Sequence, residues 1–251
     1  MKHIKLGILF FMFVETVFAQ TKRDSIYKNN NTTCLEVSGG AVLPTGDFAN
    51  NTLGNSWAGF AKKGFNAGLS LTQVLYKGTG FAAMYRFQDH KFDETSFINQ
   101  TTSKYPGISW DLSTTPWKVN AFMLGYYGSY LIEKKRKVFI DIRFLLGMVK
   151  AASPEINLTG SQGNFSASVD QSTSSANAFA YCAGLGFKFD VDPSFFFIIR
   201  ADYLQTNLEF KNISITTSPS SSSSLSPVAA QNFTQNISSI NISAGIAFKI
   251  D

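Results

Sequence analysis

Strict alternation of side-chain type is the feature that most restricts how this chain can fold. In residues 239–250 every second residue is apolar and those between are small or polar; the apolar set is Ile240, Ile242, Ala244, Ile246, Phe248 and Ile250. A period of two predicts a β-strand with two unlike faces. Six further segments repeat the pattern, and residues 117–132 follow it less cleanly because both faces carry aromatic residues. We predict eight strands, at about 34–44, 63–76, 80–92, 116–132, 137–151, 176–189, 194–210 and 236–250.

The connections between these segments alternate in length. Three are short, at 77–79, 133–136 and 190–193, and four are long, at 45–62, 93–115, 152–175 and 211–235. Short turns at one end, long loops at the other and an even number of strands are typical of membrane-spanning barrels. We therefore predict an all-β fold: an eight-stranded antiparallel up-and-down transmembrane β-barrel with short periplasmic turns and long extracellular loops.

Alternation alone does not decide which face points inward, because a soluble barrel has the same period with its apolar face inside. Aromatic residues beside the short turns favour an apolar exterior, since such rings collect at membrane–water interfaces. The predicted interfacial aromatic girdle is Tyr76, Phe81, Tyr130, Phe139, Phe189, Phe195 and Phe248. A partial second girdle near the long loops would contain Trp57, Phe65, Phe87 and Trp117.

The other face of the strands carries small residues and a few charges of both signs near mid-strand. Unpaired charge inside a narrow barrel is costly, whereas a neutralised network is tolerated. We predict a lumen charge network of Glu36, Arg86, Asp141, Arg143, Arg200 and Asp202, extended by Lys118 or Lys188.

Composition excludes several other classes of protein. Charged residues make up 16% of the chain, hydrophobic residues 44% and aromatic residues 14%, which is too apolar for a disordered chain. Two cysteines are too few for a zinc ribbon or a disulfide scaffold. The net charge of +5 is spread along the sequence rather than clustered, so we expect no nucleic-acid partner.

The first residues have the layout of a secretory signal peptide. Lys2 and Lys5 precede an apolar run at 6–14, and Ala19 supplies a small residue at the predicted cleavage site. The run is too short for a membrane helix, which needs about 20 residues. We expect a signal peptide at 1–19, a flexible lead at 20–33 and a barrel at 34–251, located in the outer membrane of a bacterial cell.

Four segments carry a resemblance to a known family: residues 39–48 (GGAVLPTGDF), 59–66 (GFAKKGFN), 116–120 (PWKVN) and 245–250 (GIAFKI). Together they resemble the porin-family outer-membrane β-barrel domain of Bacteroidota-type bacteria, which is related in architecture to OmpX-like and OmpW-like small barrels. The resemblance implies outer-membrane lipid and the barrel insertion machinery as partners. Chains of this kind often end in an aromatic residue that this machinery reads, a role that would fall here to Phe248 or Ile250.

Few residues offer chemistry. His90 lies next to Asp89 near the outer end of the third predicted strand, where a lipid-modifying enzyme would need a histidine. Cys34 and Cys182 are predicted to be free thiols, because their strands would not be neighbours in an eight-strand ring. We expect no catalytic, cofactor-binding or metal site. The charged run at 133–137 is interpreted as a turn near the inner membrane boundary.

The long loops are the expected place for contacts with other molecules, because functional residues often lie on loops held by a rigid scaffold. Their aromatic residues include Phe97, Tyr105, Trp110 and Phe165. The leading expectation is a non-enzymatic outer-membrane barrel with a structural or surface-interaction role and an extracellular or secretion partner. The alternatives are a narrow channel or transporter for small or apolar solutes, an accessory subunit of an outer-membrane secretion machine, and a lipid-modifying enzyme that uses His90.

Overall fold

A computed structural model describes residues 32–76, 78–135, 137–163, 165–219 and 226–250. The predicted signal peptide and nearly all of the predicted lead lie outside the described residues. The strands are β1 (Thr32–Pro44), β2 (Ala61–Tyr76), β3 (Thr79–Phe92), β4 (Ser109–Thr114), β5 (Trp117–Glu133), β6 (Val138–Ala152), β7 (Ile156–Gln162), β8 (Phe165–Gln171), β9 (Ser175–Asp192), β10 (Phe195–Pro219) and β11 (Ser226–Ile250). Two helices are described, α1 (Gly46–Ala49) and α2 (Glu94–Lys104). No described helix is long and apolar enough to cross a membrane.

Eight of the strands close into a ring of antiparallel neighbours in the order β1, β2, β3, β5, β6, β9, β10, β11 and back to β1. These are the eight strands expected from the alternation, so the predicted fold class is confirmed. Short turns join β2 to β3, β5 to β6 and β9 to β10, which makes that end the periplasmic end.

The pairing around the ring fixes the tilt of the strands. A path that follows Cα partners from Cys34 returns to β1 at Pro44, ten residues further on; it passes Thr72, Ala82, Gly125, Leu145, Cys182, Leu204 and Ser239. A shift of ten residues, each rising ~3.3 Å, over eight strand spacings of ~4.8 Å tilts the strands by about 40°. A barrel of this size has an interior just wide enough for side chains to fill.

The apolar face of the barrel points outward. Phe81, Leu124 and Phe179 are 60–63% exposed, whereas the arginines at 86 and 143, on the opposite face, are 1% exposed. In water this would leave a large exposed apolar surface around an interior of buried charge. A hydrocarbon surround removes that conflict, because lipid tails receive the apolar side chains and the polar face stays inside. The structure therefore matches a transmembrane barrel and not the soluble alternative.

The long loops contain more regular structure than the sequence analysis anticipated. The hairpin β10–β11 continues past the predicted strand ends at 210 and 236, and β8, β7 and β4 add to the side of β10 in that order. These extra strands form a sheet at the extracellular end. They were missed because strands of six or seven mostly polar residues carry little hydrophobic pattern.

Candidate functional site

Charged side chains cross the periplasmic half of the lumen. Nη1 of Arg200, on β10, lies 2.7 Å from both carboxylate oxygens of Glu36, on β1. Its Nη2 lies 3.4 Å from Oδ2 of Asp141, on β6. These three strands are not neighbours in the ring, so one guanidinium bridges separate parts of the barrel wall.

A second cluster lies around Asp202, also on β10. Arg143 donates from Nε to Oδ1 at 2.8 Å and from Nη2 to Oδ2 at 2.6 Å, a two-bond pairing with the carboxylate. Arg86 donates from Nη2 to Oδ2 at 2.7 Å. All three side chains are at most 1% exposed. The structure thus places the six residues predicted for the lumen network in two clusters, one around Arg200 and one around Asp202.

Lys188 joins the network at its periplasmic side, while Lys118 lies on the outer surface. The Lys188 Nζ is 3.7 Å from Asp141 Oδ1 and donates to the Tyr127 hydroxyl at 3.2 Å, which in turn donates to Asp141 Oδ2 at 2.7 Å. Four cations therefore share three carboxylates in a region that water barely reaches.

Phe139 corrects the predicted aromatic girdle. It is buried inside the barrel, where the Lys188 Nζ lies 5.2 Å from its ring centroid and 4.7 Å from that of Phe196. Ring faces partly compensate a buried ammonium through the cation–π interaction. The other girdle residues lie on the exposed or half-buried side: Tyr76, Phe81, Tyr130, Phe189, Phe195 and Phe248.

Gly184 makes room for the Asp202 cluster. A Cβ at this position would stand 2.0 Å from Asp202 Oδ1 and 3.0 Å from Arg143 Cγ. We expect Gly184→Ala to lower the free energy of unfolding by about 1–3 kcal/mol, the usual range for overpacking, as measured by urea titration of the folded barrel. Gly39→Ala is the matched control, since its Cβ would meet Asn66 O at an ordinary 3.6 Å. Equal stability of the two variants would contradict the tight packing around Asp202.

Above the charges lies a layer of amides and one histidine. The Gln88 side-chain amide donates to Asn241 Oδ1 at 3.0 Å, and the ring of His90 lies with Nε2 3.2 Å from Gln88 Oε1. His90 is fully buried, and its ring packs edge-on against Phe48 at 4.9 Å. With no exposed surface, the His90 ring is not accessible to a lipid substrate.

An aromatic plug closes the extracellular end of the lumen. Phe48, on α1, and Trp117, at the start of β5, are at most 3% exposed and their rings lie 5.5 Å apart. Trp117 also packs on Phe210 at 5.7 Å and donates from its ring nitrogen to Gly59 O at 2.9 Å. The predicted place of Trp117 in an outer girdle is therefore wrong, because it shares the inward face of β5 with Val119.

A pocket of about 390 Å³ lies above this plug, at the extracellular mouth, and Trp117 is among its lining residues. Its walls come from three loops and the end of the long hairpin, and its apolar lining includes Phe60, Phe92, Phe97, Pro154, Ile156 and Phe233. Largely apolar concave pockets with a few polar groups are the usual form of ligand sites. Of the loop aromatics considered from sequence, Phe97 lines this pocket, while Tyr105 and Trp110 pair with each other at 6.1 Å.

Phe60 is held in the pocket wall by an uncommon backbone conformation. Its φ is +48°, a region that bulky residues rarely adopt. Two backbone hydrogen bonds hold it there: its N–H donates to Asn50 O at 2.9 Å, and its carbonyl accepts from Asp93 N at 2.7 Å. The ring lies 5.5 Å from Phe92 and 5.3 Å from Phe97. Strain of this kind marks a position that the surrounding structure strongly determines.

Asp93 links the pocket wall to α2. Its carboxylate caps the helix by accepting from Ser96 N at 3.1 Å and Ser96 Oγ at 2.8 Å, and it also binds Lys62 Nζ at 3.0 Å and the Asn51 amide at 3.3 Å. Burial raises the pKa of Asp93, but the hydrogen bonds from Lys62, Ser96 and Asn51 together outweigh it and lower the pKa to about 2.

The depressed pKa of Asp93 predicts an acid-sensitive pocket wall. The ionised carboxylate stabilises α2 fully above the ordinary pKa of 3.8, and this contribution is lost as the pH falls towards 2. Cleavage by pepsin near Phe97, normalised to its rate on an unfolded substrate, should therefore rise between about pH 4 and pH 2. Asp93→Asn keeps a good helix cap but removes the charge, so its cleavage should be fast at both pH values. A wild-type rate that does not change with pH would contradict this role.

The remaining candidate residues form no reactive centre in the described part of the chain. Cys34 and Cys182 are buried, free thiols. Among the described residues, no three His, Cys, Asp or Glu side chains are placed to hold a metal ion.

Sequence reasoning assigned no role to three residues that build the plug and the pocket wall. Phe48, Phe60 and Asp93 all lie in segments treated as loops. One signal was available: Asp93 is followed by Glu94, an acidic pair of the kind found at helix starts.

No family model and no curated protein matches this chain. Among solved structures, it is similar to neisserial surface protein A, with 12% identity, a TM-score of 0.46 and coverage of 87% of this chain and 97% of that chain. It is also similar to a major outer membrane protein from Thermus thermophilus, with 11% identity, a TM-score of 0.45 and coverage of 87% of this chain and 98% of that chain. A third similar structure is Ail, the attachment invasion locus protein of Yersinia pestis, with 12% identity, a TM-score of 0.41 and coverage of 88% of this chain and 99% of that chain. At these values the fold class rests on the strand pairing described above and not on the likeness.

Proposed function

We propose that this chain is a non-enzymatic integral protein of the bacterial outer membrane, exported by a signal peptide at 1–19, whose sealed barrel supports an extracellular binding surface. The observation that carries the proposal is the filled lumen. Two charge clusters, an amide layer and an aromatic plug occupy successive levels between the periplasmic and the extracellular end.

The filled lumen disfavours the channel alternative. Arg86, on β3, pairs with Asp202 on the opposite wall of the barrel, and both side chains are at most 1% exposed. A solute would have to break this buried ion pair to pass. The burial of His90 between Phe48 and Gln88 likewise disfavours a lipid-modifying enzyme.

The apolar pocket at the mouth offers a site for an extracellular partner. Its aromatic lining is suited to an apolar or aromatic group, such as a side chain presented by another protein. The walls are built by the hairpin β10–β11, by α2 and by residues next to the Asp93 cluster.

Quenching of Trp117 fluorescence tests this proposal. Trp57 and Trp110 are replaced by phenylalanine, which leaves Trp117, in the pocket lining, as the only tryptophan. A brominated benzyl alcohol, as a heavy-atom quencher, should then quench the fluorescence in a saturable manner. Phe97→Asp, which puts a charge into the lining, should abolish saturation. Quenching that rises linearly and equally in both proteins would contradict a binding pocket.

A further inference from the structure

Four lysines lie at one height on the outer surface of neighbouring strands: Lys63 on β2, Lys91 on β3, Lys118 on β5 and Lys150 on β6. All four are exposed, and each alternates with lipid-facing positions of its strand. Lys63 is two residues from Phe65 and Lys150 two residues from Met148, and both of these apolar side chains are 53% exposed.

The register of the ring sets the heights of these lysines. Lys63 and Lys91 are each the next residue on the extracellular side of the pair Gly64–His90. Lys118 is the partner of Asp89, two residues below Lys91 on the periplasmic side, and Lys150 is the partner of Asn120, two residues below Lys118.

The tilt of the strands brings these positions level. The path of Cα partners climbs ten residues towards the extracellular end over eight strand steps, or 1.25 residues at each step in the order β1, β2, β3, β5, β6. Lys118 lies two residues below Lys91 in the pairing, and Lys150 two residues below Lys118. The climb of the path offsets most of this difference in height. The four lysines therefore lie within about 4 Å of one height along the barrel axis.

Little negative charge lies near these four lysines. None of the four makes an ion pair with a carboxylate of the described residues. The structure describes all outward-facing positions near the extracellular ends of these four strands, and among them Asp89 is the only acidic residue. The local charge is therefore about three positive units on half of the circumference.

The other half of the rim is different. At the same height, the outward positions of β9, β10 and β11 carry the neutral amides Asn177, Asn207 and Asn236. Lys211, farther out on β10, is paired with Glu209 at 3.2 Å. The basic character is thus confined to the β2–β3–β5–β6 side, which will be called the basic rim.

We propose that the basic rim binds phosphate groups on the headgroups of outer-leaflet lipids. The aliphatic stems lie over the apolar band of the barrel while the ammonium groups reach the level of the headgroups, as lysines near membrane boundaries do. Each such lysine contributes about fivefold to the binding of anionic lipid. The inference rests on the proposed membrane location but not on the sealed lumen or the apolar pocket.

Native mass spectrometry of the full-length protein, purified from membranes, tests the proposal with bisphosphoryl lipid A as the probe. The test variant replaces Lys63, Lys91, Lys118 and Lys150 by glutamine, and the control variant makes the same change at the exposed lysines 104, 134, 135 and 211. The control should bind like the wild type, and the test variant at least about tenfold more weakly. A heat-dependent shift in gel mobility shows that each variant is folded.

Two further arms distinguish the source of the phosphate. Dephosphorylated lipid A should bind the wild type as weakly as the phosphorylated lipid binds the test variant, and an excess of inorganic phosphate should leave the bound lipid in place. Displacement by inorganic phosphate would overturn a lipid site, and equal lipid binding by the test and control variants would overturn the basic rim. If the barrel conducted ions, neither lipid-binding result would change. These measurements therefore test the basic rim independently of the sealed lumen.

Discussion

Replacing Asp202 by asparagine is expected to lower the free energy of unfolding of the barrel by about 3–5 kcal/mol. The substitution is nearly isosteric, so it changes charge and not volume. It leaves Arg86 and Arg143, both 1% exposed, in the lumen without the carboxylate that they share. An uncompensated buried charge is far more destabilising than the loss of one surface ion pair. Urea titration of the folded protein, read by gel mobility without heating, measures the effect.

Two matched variants make this result specific. Asp111→Asn changes the same groups on the exposed surface of β4 and should leave stability within about 0.5 kcal/mol. Replacing Arg86 and Arg143 by methionine together with Asp202→Leu removes the charges as a unit, and it should restore much of the lost stability. An Asp202→Asn protein as stable as the wild type would contradict a dry, paired cluster.

Removal of the Trp117 side chain is expected to have an effect of similar size. Trp117→Ala deletes a ring that is 3% exposed, packs against Phe48 and Phe210, and binds Gly59 O. Loss of a buried tryptophan to alanine costs about 3–5 kcal/mol, as transfer energy and a cavity combine. Trp117→Phe keeps most of the ring contacts and should lose less. Urea titration again provides the measurement.

Trp57→Ala is the control for Trp117, because Trp57 is 48% exposed at the extracellular end and is expected to cost much less. A small, equal effect of the two alanine variants would instead place Trp117 at the membrane surface. The comparison thus distinguishes the plug from the outer girdle predicted from sequence.

The alternation predicted the ring well, because lipid on one side and a packed lumen on the other constrain every residue of a spanning strand. The errors at Phe139 and Trp117 came from giving position near a turn or loop more weight than face. Phe139 shares its face with Asp141, and Trp117 shares its face with Val119. The alternation itself predicted the inward direction of Phe139, whereas residues 117–132 carry aromatic residues on both faces and left the direction of Trp117 open.

The sequence alone did not predict which charged residues pair with each other inside the lumen. Arg200 binds Glu36 and Asp141 across the barrel, and which charges lie level depends on the shift of ten residues around the ring. Each turn or loop between two ring strands contributes to that shift, so it cannot be read from any single segment. The sequence did not predict the pocket at the extracellular mouth either, because Phe48 and Phe60 are positioned by contacts between distant loops and not by a local periodic pattern.

Single-channel recording of the purified protein in a planar bilayer tests the sealed lumen most directly. A 16-stranded porin, which leaves an aqueous channel, recorded under the same conditions serves as the open control. A sealed lumen predicts no steady conductance for the wild type, while the porin conducts steadily. A steady, reproducible conductance of the wild-type barrel would contradict it.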